Sequence, residues 1–214
     1  EDDACDPKKA AAAATKLISV DKVKIVVNGV CSGSMLAAVS ITEAAKVILF
    51  TPVSTSPKIT TAGDYVFRTS GTGTHTAIAF NKYLAQFGYK NIAILYENAE
   101  YPVGIKDAFV PLFSSGGNKI VATEGVNPNE TDMRGQLAKI NQAKPQALVV
   151  IMNSAVTVNT FVKQTKELGV KLPVCGNEYF AFTDVVENPN AQGMYAAQYK
   201  YDPTAPSYLA VLEE

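Results

Sequence analysis

Short apolar runs alternate along this chain with longer amphipathic segments. Residues 24–27, 47–50 and 147–152 are apolar at nearly every position, which is typical of strands buried in a parallel sheet. Segments of helical length lie between such runs, and some of them end at a glycine. Strands and helices that alternate at this spacing predict an α/β fold of parallel sheets flanked by helices.

The same pattern predicts the bounds of the elements. Strands are predicted at residues 23–28, 47–50, 65–69, 91–96, 118–122, 147–152 and 172–175. Helices are predicted at residues 8–18, 33–45, 74–87, 103–115, 131–143 and 156–168. Asp6 and Pro7 are typical of an N-cap and the first position of a helix. We therefore expect the chain to open at the end of a strand.

Two loops rich in small hydroxyl residues each follow a predicted strand directly. They are Cys31-Ser32-Gly33-Ser34 and residues 51–57, Thr-Pro-Val-Ser-Thr-Ser-Pro. In an open α/β sheet, ligands bind in the crevice at the carboxyl ends of the strands. Hydroxyls and backbone N–H groups at this position can bind a carboxylate.

Composition excludes several classes of partner. The net charge is −1 and only 18% of the residues are charged, so the chain offers no basic patch for nucleic acid and no polybasic segment for a membrane surface. Its apolar runs, such as residues 147–152, are far too short to insert across a bilayer. The cysteines are far apart and the single histidine has no partner in metal-ligand spacing, so we expect no metal.

Two short motifs suggest functions other than the binding of a small carboxylate. Gly71-Thr72-Gly73 resembles a dinucleotide fingerprint, but position 76 is threonine where the last glycine is needed, and a hinge is the simpler interpretation. We therefore expect no cofactor. Gly29-Val30-Cys31-Ser32-Gly33 has the form of a nucleophile elbow with cysteine, which makes a cysteine hydrolase with His75 as base an alternative hypothesis. Cys5 and Cys31 both lie at predicted turns, and whether they pair decides this alternative and the compartment.

Glu178 and Tyr101 are the remaining candidates for a binding site. Glu178 follows a predicted strand and is flanked by a turn and two aromatic residues, a setting in which a carboxylate can hold an ammonium group beside an apolar wall. Tyr101 lies between a predicted strand and a predicted helix. A solvated loop glutamate and ordinary packing of the tyrosine are the plain alternatives.

Taken together, these segments resemble the type I periplasmic binding proteins, in particular the branched-chain amino acid group that serves ABC importers. The resemblance covers nearly the whole chain. It rests on Glu1-Asp2-Asp3-Ala4-Cys5-Asp6-Pro7, Cys31-Ser32-Gly33-Ser34, residues 51–57, residues 65–69, residues 97–104 and Gly176-Asn177-Glu178.

The resemblance implies a role for each candidate site residue. Ser32 and Thr55, with the neighbouring Ser54, match positions that hold a ligand carboxylate. The Val53 carbonyl and Glu178 match groups that hold an ammonium. Tyr101 matches an aromatic residue that closes the pocket, and Ser154 falls near a position where amino-acid-binding members often carry tyrosine. Cys5 and Cys31 match a disulfide pair.

The resemblance also implies an organisation into two lobes that close on a ligand by a hinge. Residues 1–68 correspond to part of lobe 1, to which residues 202–214 return, and residues 69–201 correspond to a nearly complete lobe 2. We therefore expect lobe 1 to be incomplete and the chain to be a fragment of a longer family member.

The function expected from the resemblance is that of an extracytoplasmic, periplasmic solute-binding protein. It would bind a small α-amino acid with a branched-chain or other apolar side chain and present it to the membrane permease of an ABC importer. The alternative within this fold is a protein that binds an aromatic acid or another small carboxylate or amide, in transport or sensing. No enzymatic activity is expected under either hypothesis.

Overall fold

A computed structural model describes residues 1–199 and Thr204. The described elements alternate between strand and helix, as expected. The strands are β1 Ile25–Val27, β2 Ile48–Thr51, β3 Val66–Arg68, β4 Asn91–Glu97, β5 Lys119–Val126, β6 Ala147–Ile151, β7 Val174–Gly176 and β8 Tyr195–Ala196. The α-helices are α1 Pro7–Ser19, α2 Ser32–Ala45, α3 Gly73–Gln86, α4 Glu100–Ser114, α5 Arg134–Gln142, α6 Ala155–Glu167 and α7 Thr183–Val186. Short 3₁₀ helices span Pro57–Thr61, Glu178–Ala181 and Pro189–Ala191.

The strands form two separate sheets. The first has the order β1-β2-β3, and the second has the order β5-β4-β6-β7-β8. Every pairing is parallel, which confirms the predicted fold class. We refer to residues 1–68, which hold the first sheet, as the N-terminal part and to residues 69–199 as the C-terminal part.

The sheet of the C-terminal part is covered on both faces. All five residues of β6 have 0% exposure. One face packs in a cluster that includes Leu95 and Phe161, and the other packs in a cluster that includes Phe80 and Phe109. This is the buried parallel sheet that the apolar runs predict.

The sheet of the N-terminal part is covered on one face only. Val26 packs against α1 and α2 through Ala14 and Met35, whereas its neighbour Val27 is 66% exposed. The register sets Val27 beside Phe50 and Phe50 beside Phe67, so the open face carries an apolar row. Residues 25–27 are therefore apolar on both faces of the sheet but covered on only one of them.

The two ends of the described chain also differ from the sequence prediction. Residues 1–6 contain no strand, because the Asp2 and Asp3 carboxylates accept the backbone N–H groups of Ala4 and Cys5 and hold a turn instead. The expected return of residues 202–214 to lobe 1 lies outside the described residues, apart from Thr204.

Helix α4 begins three residues earlier than predicted. Its first residue is Glu100, and Pro102 lies within its first turn, where a backbone N–H would have no partner inside the helix. Proline there does not break the helix. The early start matters for function because it brings Glu100 and Tyr101 to the end of the sheet.

Candidate functional site

A cleft of about 720 Å³ lies between the two parts, at the carboxyl ends of the strands. From the N-terminal part it is lined by Cys5, Pro7, Val30, Cys31, Ser32, Gly33, Pro52, Val53 and Thr55. From the C-terminal part it is lined by Ser70, Asn98, Ala99, Glu100, Tyr101, Pro128, Asn153, Glu178, Tyr179 and Tyr199. Five of the seven predicted ligand residues are thus brought together in one cavity.

Two buried hydroxyls face the cleft from the N-terminal part. Ser32 is the first residue of α2, and its Oγ accepts the backbone N–H of Ser56 at 3.2 Å, which leaves its own O–H free to donate. The Oγ1 of Thr55 is buried and has no hydrogen-bond partner in the described part of the chain. A buried polar group without a partner is costly, so both hydroxyls are suited to an acceptor such as a carboxylate.

Val53 and Ser54 directly precede Thr55, but only one of them faces the cleft. Val53 lines the cleft and is half-exposed. Ser54 does not line it, because its Oγ donates to the Val30 carbonyl at 3.1 Å and its backbone N–H donates to Thr51 Oγ1 at 3.0 Å. In this structure the Ser54 hydroxyl therefore stabilises the loop.

Glu178 and Tyr101 contact each other on the opposite wall. The Tyr101 hydroxyl donates to Glu178 Oε1 and accepts from Asn177 Nδ2 at 3.2 Å. Asn177 is itself fixed, since its Nδ2 donates to the Met152 carbonyl at 2.8 Å and its Oδ1 accepts the Met152 N–H at 3.1 Å. The carboxylate is therefore oriented by groups that belong to the rigid ends of β6 and β7.

The electrostatics of this wall favour a cationic partner. Burial raises the pKa of Glu178, and the hydrogen bond from Tyr101 opposes that rise. Burial and the adjacent Glu178 carboxylate raise the pKa of the Tyr101 hydroxyl, which keeps it a donor. The described residues that line the cleft include no lysine, arginine or histidine. A cationic ligand group beside Glu178 would therefore be the only positive charge among these lining residues, and it would favour the ionised carboxylate.

Ser154 is not part of the cleft lining, and its neighbour Asn153 is. Ser154 is the N-cap of α6, and its Oγ accepts the backbone N–H of Thr157 at 3.1 Å. Asn153 lies in the cleft wall, and its N–H donates to Glu97 Oε2 at 3.1 Å. Burial raises the pKa of the Glu97 carboxyl. The cleft lining thus includes the residue before the predicted Ser154.

Further lining residues were missed by the sequence analysis. Asn98 and Asn153 follow the ends of β4 and β6, so a polar residue close after a strand was a usable signal. Glu100 and Tyr179 lie in segments that the sequence singled out, residues 97–104 and the aromatic pair after Glu178, whereas Ser70 and Tyr199 had no such signal.

Cys5 and Cys31 are joined by a disulfide at the rim of the cleft, with their Cα atoms 5.5 Å apart. The cysteine hydrolase hypothesis is therefore wrong, because the sulfur of Cys31 is not free to act as a nucleophile. His75 instead caps α3 through Thr72. The remaining thiol, Cys175, is buried, and burial raises its pKa to about 12.

The described residues contain neither a candidate metal cluster nor a candidate membrane span. Among residues 1–199 and Thr204, no three histidine, cysteine or acidic side chains are grouped as a metal ion would need. None of the helices described has both the length and the apolarity of a membrane span.

Two parallel sheets with a cleft between them, lined by hydroxyls on one wall and a carboxyl group on the other, are typical of proteins that bind small molecules. Comparison with known proteins agrees, since the sequence profile of the periplasmic binding protein family matches residues 1–214. The chain therefore belongs to the periplasmic binding protein family.

Individual relatives extend this result. A leucine-, isoleucine-, valine-, threonine- and alanine-binding protein of Pseudomonas aeruginosa is 31% identical over 91% of this chain and 53% of its own length. A leucine-binding protein from Thermotoga maritima shares the fold, with a TM-score of 0.84, 21% identity and coverage of 97% of this chain and 61% of its own. A solute-binding protein of an ABC transporter from Rhodopseudomonas palustris, in complex with 3,4-dihydroxybenzoic acid, has a TM-score of 0.76, 27% identity and coverage of 88% and 52%. The chain spans about half the length of the relatives it matches.

Proposed function

We propose that this chain is part of an extracytoplasmic solute-binding protein of an ABC importer, and that it binds a small α-amino acid with an apolar side chain. The observation that carries the proposal is the partly buried Glu178 carboxyl, which faces a cleft without a basic residue among its described lining and lies across from two buried hydroxyls. An amino acid has one cationic and one anionic end, and it matches both walls.

Each wall then has a defined role. Ser32 donates its hydroxyl to the ligand carboxylate, and Thr55 supplies the hydroxyl that otherwise has no partner. Glu178 and the Val53 carbonyl hold the ammonium, and Tyr101 fixes the orientation of Glu178. Because the groups lie on different parts of the chain, the ligand binds most tightly when residues 1–68 and 69–201 act as two lobes closed around it.

A second ligand class is supported by a different observation. The Rhodopseudomonas palustris relative binds an aromatic acid, and Tyr179 and Tyr199 give this cleft further aromatic surface. An aromatic acid has no ammonium, so Glu178 would bind it protonated, as a hydrogen-bond donor. The family and the relatives named above also support an extracytoplasmic location and a membrane permease as partner.

The substitution Glu178→Gln separates the two ligand classes. We expect it to weaken an apolar amino acid by about 30-fold or more, because loss of one partner of a desolvated charge pair costs about 2 to 5 kcal/mol. An aromatic acid should lose less than about threefold, since glutamine retains an N–H donor. Titration calorimetry with leucine, isoleucine, valine and benzoate measures both.

The matched control is Glu124→Gln, which changes an equally charged side chain on β5 that is bound to Lys139 at 3.1 Å outside the cleft. It should leave all affinities unchanged. The amino acid assignment fails if Glu178→Gln binds leucine as tightly as the control, and the solute-binding proposal fails if the unaltered chain binds neither ligand class.

A further inference from the structure

Beside the ligand groups, one carboxylate of the C-terminal part is bound by two groups of the N-terminal part. Glu100 Oε1 accepts the Ser56 hydroxyl at 3.0 Å, and Glu100 Oε2 accepts the Lys58 ammonium at 3.0 Å. Both carboxylate oxygens are occupied by these partners. Glu100 is therefore not available to a ligand ammonium in the way that Glu178 is, although it lies at the cleft wall.

The backbones of the two parts approach closely at the same place. Gly104 follows Glu100 by one helical turn on the same face of α4. A Cβ atom at position 104 would lie 3.0 Å from Pro57 Cδ and 3.5 Å from Ser56 Oγ. The absence of a side chain at Gly104 is what allows α4 to lie against this loop and Glu100 to reach Ser56.

Ser56 connects this contact to the proposed carboxylate site. Its backbone N–H donates to Ser32 Oγ at 3.2 Å while its own Oγ donates to Glu100. Its carbonyl accepts from Arg68 Nη1 at 2.9 Å, which holds the loop in place. Ser56 thus donates to both residues, through its backbone N–H to Ser32 and through its hydroxyl to Glu100, so the Glu100 contact fixes the residue that orients Ser32.

We propose that Glu100 is a positioning residue that closes the cleft, by holding the two parts together over a bound ligand through Ser56 and Lys58. This inference rests on the proposed function. The contact forms when the parts are together, so its contribution adds to ligand retention and not to the first encounter with the ligand.

Four variants test the proposal. Glu100→Ala removes both bonds, Glu100→Gln keeps an acceptor for Ser56 but loses the ion pair, and Gly104→Leu places a side chain between α4 and the loop. The matched control is Glu124→Ala, because Glu124 is 21% exposed, close to the 22% of Glu100, and binds one lysine at 3.1 Å, but within the C-terminal part.

The first measurement is the rate of ligand binding and release, followed by stopped flow with the tightest amino acid of the calorimetric panel. We expect Glu100→Ala and Gly104→Leu to raise the dissociation rate about tenfold or more with an unchanged association rate. Glu100→Gln should raise it about threefold, because a partly exposed ion pair contributes little. Glu124→Ala should leave both rates within twofold of the unaltered chain.

The second measurement is the distance between spin labels on Val20→Cys and Val156→Cys, two exposed positions on the two parts, in the ligand-free chain. Glu100→Ala and Gly104→Leu should lengthen or broaden the distance distribution, and Glu124→Ala should not. Equal distances and equal release rates in Glu100→Ala and Glu124→Ala would overturn the proposal. If no amino acid or aromatic acid binds the unaltered chain, the proposed function fails, and the label distances alone decide whether Glu100 closes the cleft.

Discussion

The sheets of the two parts of the molecule are buried to different degrees. In the C-terminal part every residue of β6 is buried between two apolar clusters, whereas in the N-terminal part the row Val27, Phe50 and Phe67 lies on a face that no described element covers. Helix packing on both faces supplies most of the stability of a parallel sheet. The comparison indicates that the C-terminal part is the stable half of the site and that the N-terminal part depends on other restraints.

The residues proposed to bind the ligand are also held differently in the two parts. Tyr101 and Glu178 are anchored at the ends of β6 and β7 through Asn177. Ser32 and Thr55 are carried by loops that are held by the disulfide and by hydrogen bonds around Ser54 and Ser56. We therefore expect disturbance of the N-terminal part to damage the carboxylate side of the site first.

Substitution of one central-strand leucine in each sheet measures the difference directly. Leu95 on β4 and Leu49 on β2 both have 0% exposure. Leu95→Ala should lower the free energy of unfolding by about 4 to 5 kcal/mol, because the packed surroundings on both faces cannot close the cavity. Leu49→Ala should cost about 2 to 3 kcal/mol, because the one-sided sheet can relax. Urea unfolding followed by circular dichroism compares them, and equal costs would show that the open face does not weaken the N-terminal part.

Removal of the disulfide tests which part needs it. The Cys5–Cys31 bond spans 26 residues, so the variant with both cysteines replaced by serine should lose about 3.5 kcal/mol in the chain-entropy description. Hydrogen exchange measured on peptides should show the loss of protection in residues 1–68 only. A loss that spreads equally over residues 69–199 would show that the two parts unfold as one unit.

A thiol count on the unaltered chain supplies the control. The denatured, unreduced chain should react at one thiol, that of Cys175, and the native chain should react at none because that thiol is buried. Three reactive thiols would contradict the disulfide and with it the restraint on the Ser32 loop.

The fold was predictable because its strongest signal is local. The run at 147–152 becomes β6, Ala147–Ile151, almost without change, since a strand buried on both faces must be apolar throughout. Helix α5 was predicted from residue 131 but begins at Arg134, because Glu130 and Asp132 accept backbone N–H groups and hold a turn before it. Such capping depends on side-chain geometry that periodicity does not record.

The site was predictable in part for the same reason. Ser32, Thr55, Tyr101 and Glu178 lie at strand ends, where parallel sheets bring loops together. Ser154 does not line the cleft, because its hydroxyl accepts the backbone N–H of Thr157 and caps α6, whereas the adjacent Asn153 lines it. The contact of Glu100 with Ser56 and Lys58 joins positions more than 40 residues apart, and no pattern along the chain marks it.

The smallest predicted effect is a pH dependence that separates the two walls of the site, because the Glu178 carboxyl gains and loses a proton and the hydroxyls of Ser32 and Thr55 do not. Burial raises the pKa of Glu178 above its ordinary value of 4.5. An amino acid needs the ionised form, so its affinity should fall by up to about tenfold per pH unit as the pH drops below that raised pKa. The stability of the ligand-free chain should change in the opposite direction. The contribution of Glu178 to the free energy of unfolding is fully present below pH 4.5 and is lost as the pH rises through the raised pKa of the folded state.

Glu178→Gln should remove the pH dependence of leucine affinity and reduce the pH dependence of stability. Part of the pH dependence of stability should remain, because burial also raises the pKa of Glu97. Calorimetry with leucine and urea unfolding between pH 4.5 and 8 measure the two slopes on the unaltered chain and the variant. Leucine affinity that is constant over this range in the unaltered chain would show that Glu178 does not hold the ammonium, and the difference between the two walls would then be one of rigidity alone.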